Sequence, residues 1–150
     1  MSSISSSQFP GFYTAKFTKA DVTAVTAWST ANSPITLFTV TGTVLLRIYG
    51  RTSTALTSTG ATGTLAIGIS GSTTIYLGTT TADGTNFATG SVWIDTSPTI
   101  RSEALVAANL VWHLNQAGNA ILTIATNNMS AGGMELYCDW IPVSAGATVV

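Results

Sequence analysis

The sequence has very few charged residues. Only 7% of its 150 residues are Asp, Glu, Lys or Arg, whereas about 25% is usual in soluble domains. Five basic residues and a net charge of −1 are too few for the Lys/Arg surface that neutralises phosphates, so we expect no nucleic-acid partner. The weak charge also gives little repulsion between copies. We therefore expect part of the surface to be covered by further copies of the chain or by a larger assembly.

Cysteine and histidine are almost absent. One Cys, Cys138, and one His, His113, rule out an intrachain disulfide and fall short of the three or four ligands that zinc requires. The first residues have neither the basic nor the apolar part of a signal peptide. The longest apolar stretch, 35–46, is too short and too interrupted to span a bilayer. We accordingly expect no metal, no cofactor and no membrane partner.

The chain is instead rich in hydroxyl residues, with 27 Thr and 16 Ser. Thr and Val favour strands, and turn signals such as Asp83-Gly84 and Ser97-Pro98 separate short stretches of them. The pattern predicts an all-β chain, an antiparallel β-sandwich or jelly-roll in one domain over 12–150, preceded by a flexible N-terminal arm over 1–11. One helical turn is expected between Lys19 and Trp28. The predicted strands are 13–18, 35–41, 43–50, 52–58, 64–69, 73–79, 91–95, 109–114, 120–126 and 133–141.

Two of these strands place charges and a tyrosine on the face opposite their apolar residues. Side chains alternate along a strand, so Arg47, Tyr49 and Arg51 share one face of theirs. Glu135, Tyr137 and Asp139 share one face of the last strand. Two interpretations follow: an intrachain ladder of opposite charges that fixes the strand register, which we favour, or a contact between subunits. In either case these six residues are the candidate site of the folded domain.

Residues able to carry out catalysis are sparse. A lone histidine in an apolar strand is usually structural, and no G-x-S-x-G sequence precedes His113. Cys138 falls on the predicted core side, where thiols are normally inert. A Cys138–His113 pair is left open by the sequence, but we expect no enzymatic activity and no small-molecule substrate.

Carbohydrate binding is a separate alternative, because aromatic side chains can form a platform for a sugar. Tryptophans in strands more often fill a core or the rim of an interface. The residues concerned are Trp28, Trp93, Trp112 and Trp140.

Three segments carry a resemblance to a known group of proteins. Residues 38–50, 91–98 and 134–150, which read FTVTGTVLLRIYG, SVWIDTSP and MELYCDWIPVSAGATVV, resemble small virion structural proteins of tailed bacteriophages. The resemblance covers about 35–150 and implies a non-enzymatic role on the capsid surface, as a decoration (cement) protein that binds the major capsid protein and copies of itself. It carries over no catalytic residues. Such a protein is made in the host cytoplasm, and a homotrimer fits the three-fold positions of an icosahedral lattice. Tail or fibre components, and a carbohydrate-binding adhesion module, are the alternatives.

The N-terminal arm has its own expected role. Its serines cannot form a core, but Ile4, Phe9 and Phe12 are apolar anchors along it. Ten extended residues reach about 33 Å, enough to cross to a neighbouring subunit and add a strand to an open sheet edge. We therefore count these three residues as candidate interface residues.

Overall fold

A computed structural model describes residues 16–22, 28–94, 99–100, 111–116 and 118–150. The all-β class is confirmed, because the regular structure of these described residues consists of antiparallel strands and two short 3₁₀ turns at Thr30–Asn32 and Thr59–Ala61. The strands in chain order are β1 (Lys16–Val22), β2 (Ile35–Phe38), β3 (Val40–Thr41), β4 (Thr43–Ser58), β5 (Thr64–Ile69), β6 (Ser72–Thr81), β7 (Ser91–Trp93), β8 (Thr99–Ile100), β9 (His113–Gln116), β10 (Ala120–Ala125), β11 (Met129–Pro142) and β12 (Thr148–Val149).

The strands form two main sheets that enclose one core. The larger sheet has the order β1-β11-β4-β7-β8, with β9 also paired to β4. The smaller sheet has the order β2-β10-β5-β6, and β12 pairs with β3 in a short ribbon. Buried side chains from both sheets form a single cluster, which is the arrangement of a β-sandwich. Its largest fully buried members are Trp28, Trp93, Phe38, Phe87, Leu46, Leu56, Leu65, Ile67, Leu77, Leu122, Met134 and Leu136.

The two longest strands, β4 and β11, form the spine of the larger sheet. Leu46 pairs with Trp140, Ile48 with Cys138 and Gly50 with Leu136. These positions are buried, and the residues between them on each strand face outward. The alternation that the sequence predicts for both strands is therefore confirmed.

The β4–β11 pairing ends in an irregular stretch in which one position requires glycine. The β4–β11 register shifts between Met129 and Met134, and within this stretch Gly132 has φ +121°. A Cβ at Gly132 would lie 2.6 Å from the carbonyl oxygen of Ala55 and 2.7 Å from Cα of Leu56. Only glycine fits both this backbone conformation and this close approach.

The edge strand β6 is bulged. Ile67 pairs with Leu77 and Ile69 with Ser72, so a step of two residues along β5 corresponds to a step of five along β6. The extra residues fold over the neighbouring strand at Gly68, where a Cβ would collide with the backbone of β6. The edge of the smaller sheet is therefore twisted and uneven rather than straight.

Two predictions of local structure are wrong. The helical turn expected between Lys19 and Trp28 is not formed at its start, because residues 19–22 continue β1 and pair with β11. The two strands expected over 43–50 and 52–58 are one continuous strand, since no turn residue interrupts the pairing at Arg51. The arm over 1–11 lies outside the described residues, as does the end of the expected helical turn at 23–27.

Candidate contact face of the larger sheet

A stack of aromatic rings crosses the outward side of the larger sheet. Tyr49 on β4 and Tyr137 on β11 are register partners, and their rings lie nearly parallel with centroids 5.2 Å apart. Phe17 on β1 continues the stack, 5.7 Å from the ring of Tyr137. Side chains of paired residues share a face of the sheet, so three neighbouring strands place their rings side by side. The side chain of Phe17 is 57% exposed.

An ion pair flanks the rings on each side. Arg47 Nη2 lies 2.9 Å from Asp139 Oδ2, and Arg47 Nε donates a hydrogen bond to the same oxygen at 2.9 Å. The Arg47 guanidinium also lies over the ring of Trp112, 4.7 Å from its centroid. On the other side Arg51 Nη1 lies 3.5 Å from Glu135 Oε2. We call this surface the ladder face; its residues are Phe17, Arg47, Tyr49, Arg51, Val92, Trp112, Glu135, Tyr137 and Asp139.

Hydrogen bonding and burial tie the tyrosines into the ladder face. The Tyr137 hydroxyl donates to Glu135 Oε2 at 2.7 Å. Burial, and next the negative charge of Asp139, raise the pKa of Tyr49. The Tyr49 phenol therefore remains a neutral hydrogen-bonding group at physiological pH.

The ladder face contains an open recess. Its volume is about 450 Å³, and it is lined by Phe17, Tyr49, Gly50, Arg51, Val92 and Tyr137. Val92 belongs to this recess because β7 pairs with β4 at Arg51. The floor is apolar and the charged groups stand at its rim. Such a recess suits an apolar side chain of a partner better than a small polar substrate.

The six residues predicted from alternation are all brought together. Arg51 pairs with Glu135, Tyr49 with Tyr137 and Arg47 with Asp139, so the favoured interpretation of an intrachain ladder is confirmed. A contact between subunits through the same residues stays a prediction. Ile4, Phe9 and Phe12 lie outside the described residues.

Sequence reasoning missed three contributors to the ladder face: Phe17, Val92 and Trp112. Phe17 lay in a predicted strand, but no local signal shows that this strand pairs with β11. Trp112 was considered only as part of a sugar platform. That platform is not formed by the other three tryptophans, because Trp28, Trp93 and Trp140 are at most 5% exposed.

The residues examined for catalysis lie away from the ladder face. Cys138 faces the core, and burial raises the pKa of its thiol to about 12, which leaves it protonated. Burial lowers the pKa of His113, and its ring packs edge-on against Tyr76, with centroids 5.2 Å apart. Among the described residues no group of three or more His, Cys, Asp or Glu side chains is placed to hold a metal ion.

Fold and site together define an antiparallel β-sandwich with an aromatic, ion-paired outer face. No protein-family model, no curated protein and no solved structure matches the chain. In the part of the chain that the structure describes, no helix has the length and apolar character needed to cross a membrane.

Proposed function

We propose that the protein is a non-enzymatic structural protein of a virus particle, a decoration protein that binds and stabilises a phage head. The observation that carries the structural role is the ladder face, where aromatic rings and fully paired charges lie together on a rigid sheet. Tyr, Trp and Arg are the residues most enriched where protein interfaces gain their binding energy. The assignment to a phage head comes from the resemblance of residues 38–50, 91–98 and 134–150.

The charge distribution supports contact with protein. A buried charge without a partner is costly, but the cations of the ladder face already have partners within the chain. Arg47 and Asp139 are only 28% and 18% exposed, so much of their desolvation has already occurred on folding. A partner can therefore cover this surface without stranding an unpaired charge.

The proposed mechanism is mechanical. Each copy would add a modest contact between capsid subunits, and the symmetry of the particle would repeat that contact many times. Stabilisation of the head would then come from the number of contacts rather than from one strong site.

The test is to look for the chain in purified particles of the phage that encodes it. Mass spectrometry should detect it in stoichiometric amounts, and cryo-microscopy should show its density on the outer surface of the head. Density on the tail or fibres would support the structural role but show that the proposed location on the head is wrong. Absence from purified particles would overturn the proposal.

Binding to heads gives a second measurement. Purified protein should cosediment with heads that lack it, and Phe17→Ser should weaken this binding. Ile75→Ser is the matched control, because Ile75 is also exposed but belongs to the smaller sheet. Equal binding by both variants would show that the ladder face is not the contact.

A further inference from the structure

The charges of the ladder face are sorted by strand. Both cations, Arg47 and Arg51, are on β4, and their register partners, Asp139 and Glu135, are both on β11. If the four charges served only to fix the strand register, each strand could equally well carry one cation and one anion. Every cross-strand pair would still join opposite charges. The sorting instead makes β4 the positive strand and β11 the negative strand of this pair, while β1 adds one residue of each sign, Lys19 and Asp21, at register positions beside β11.

We propose that the ladder face binds the same face of a second copy, related by a two-fold axis that runs parallel to β4 and β11 and midway between them. This rotation lays β4 of each copy over β11 of the other. Arg47 then faces Asp139 of the second copy, Arg51 faces Glu135, and Tyr49 faces Tyr137. Each of the four charges on β4 and β11 meets its opposite, and a single patch is sufficient because a two-fold contact is self-complementary.

Other two-fold arrangements of the same faces are unfavourable. An axis in the plane of the interface but perpendicular to the strands would place β4 over β4, with Arg47 against Arg51. The two acidic residues of β11 would meet in the same way. Like charges at an interface are strongly disfavoured. The arrangement of charges therefore excludes this axis and favours the axis parallel to the strands.

The apolar groups at the two sides of the face fit the same axis. Phe17 lies beside Asp139, its register partner on β11, and Trp112 lies beside Arg47 on the opposite side. The rotation carries Phe17 of the second copy to the far side of β4, where Trp112 lies. The exposed Phe17 ring thus meets an aromatic side chain of the partner.

The face supplies a large part of the area that such a contact needs. Four strands about 4.8 Å apart and seven residues at about 3.4 Å each give a flat area of about 450 Å². Leu114, which is 58% exposed and pairs with Leu45 on the same side, extends it. About 800 Å² per partner is typical of a stable complex, so the ladder face supplies more than half. With a net charge of −1 per chain, two copies repel each other little.

This inference rests on the proposed function and names a second copy as the partner of the ladder face. The dimer would then bind heads through other surfaces, and Phe17→Ser would weaken that binding because it removes the second copy. A closed trimer requires two different patches that fit each other, whereas the sorted charges make one patch fit itself. The structure therefore favours a dimer over the trimer expected from lattice geometry, and the trimer becomes an outcome of the test.

The experiment uses two charge variants of the full chain. Arg47→Glu with Arg51→Glu makes all four charges of β4 and β11 acidic, and Glu135→Lys with Asp139→Lys makes all four basic. Sedimentation velocity should show a dimer for the parent chain and at least about tenfold weaker association for each variant alone. A 1:1 mixture of the two should restore the dimer. A mixture that stays monomeric while the parent dimerises, or a parent that is a monomer or a trimer, would overturn the inference.

Cross-linking tests the axis. Sheets packed face to face lie about 10 Å apart, which is too far for a direct disulfide, so a short bifunctional thiol reagent is used: in a Cys138→Ala background it should join Arg47→Cys in one chain to Asp139→Cys in another. Arg47→Cys mixed with Arg51→Cys should not be joined. The reverse result would reject the proposed axis.

If the charge variants fail to fold, a variant that leaves the ion pairs intact still tests the proposed dimer. Phe17→Ser should weaken the dimer at least about tenfold with an unchanged circular dichroism spectrum, and Ile75→Ser should leave it unchanged. Equal effects of the two would contradict the inference. If the chain is a monomer in solution but is found in particles, the two-fold contact is wrong and the structural role stands. If the chain is a dimer but is absent from particles, the two-fold contact stands and the structural role is wrong.

Discussion

The two ion pairs of the ladder face should differ in strength, although they lie on the same two strands. Arg47 makes two contacts of 2.9 Å with Asp139, from Nε and from Nη2, and its guanidinium is held over Trp112. Arg51 makes a single contact of 3.5 Å with Glu135, and its side chain is 61% exposed. Short, partly buried contacts from a fixed guanidinium are stronger than long, solvated ones.

We expect a coupling free energy of about 1 kcal/mol for Arg47 with Asp139 and less than about 0.5 kcal/mol for Arg51 with Glu135. Double-mutant cycles would measure both by urea unfolding. The substitutions are Arg47→Met with Asp139→Asn and Arg51→Met with Glu135→Gln, which keep the side-chain length. Each cycle should be run at two protein concentrations, because self-association adds to the apparent stability of the folded state.

High salt provides the internal control of this comparison. Exposed pairs are screened more than partly buried ones, so 1 M salt should reduce the coupling of Arg51 with Glu135 by the larger fraction. Equal couplings for the two pairs, or a larger one for Arg51 with Glu135, would refute the reasoning from contact geometry.

Three further predictions concern the backbone, the buried thiol and the arm. Gly132→Ala should lower the free energy of unfolding by more than about 2 kcal/mol, and Gly71→Ala by only about 1 kcal/mol. Both glycines have positive φ, but a Cβ at Gly71 meets no atom within 4 Å; equal losses in urea unfolding would contradict this. Burial raises the pKa of Cys138 from 9.0 to about 12, so its contribution to stability is complete below pH 9 and is lost as pH rises towards 12, by about 1.4 kcal/mol per pH unit. Cys138→Ala should flatten that alkaline decline, and an unchanged slope would show that the thiol does not cause it. Deleting residues 2–11 should leave the melting temperature of the free protein nearly unchanged and weaken its binding to particles; equal particle binding would leave the arm without a role.

The strands and their faces could be predicted because side-chain direction alternates with a period of two. Apolar residues at Val44, Leu46 and Ile48 identify the buried side of β4, and the outward side follows without knowledge of any partner. The opposite charges on two separate segments then indicated that these segments pair. Sequence reasoning therefore reached the six residues of the ladder itself.

The rest of the ladder face depends on pairings between distant segments, which leave no local signal. β1 pairs with β11 across more than a hundred residues, and only this pairing brings Phe17 beside Tyr137. The same pairing explains why the helical turn predicted to start at Lys19 is not formed there. Lys19 and Ala20 are good helix formers locally, but hydrogen bonds to β11 hold them extended, and tertiary pairing routinely overrides weak propensity.

The bulged edge of β6 has a consequence for association between copies of the chain. A straight, uncharged, threonine-rich strand at the edge of a sheet is a template on which further strands grow into fibrils. β6 spans Ser72–Thr81 and carries no charge and no proline to discourage such growth. The extra residues over Gly68 break the spacing of its free amide and carbonyl groups, so an incoming straight strand cannot match them. Crowded copies are thereby hindered from adding strands along this edge.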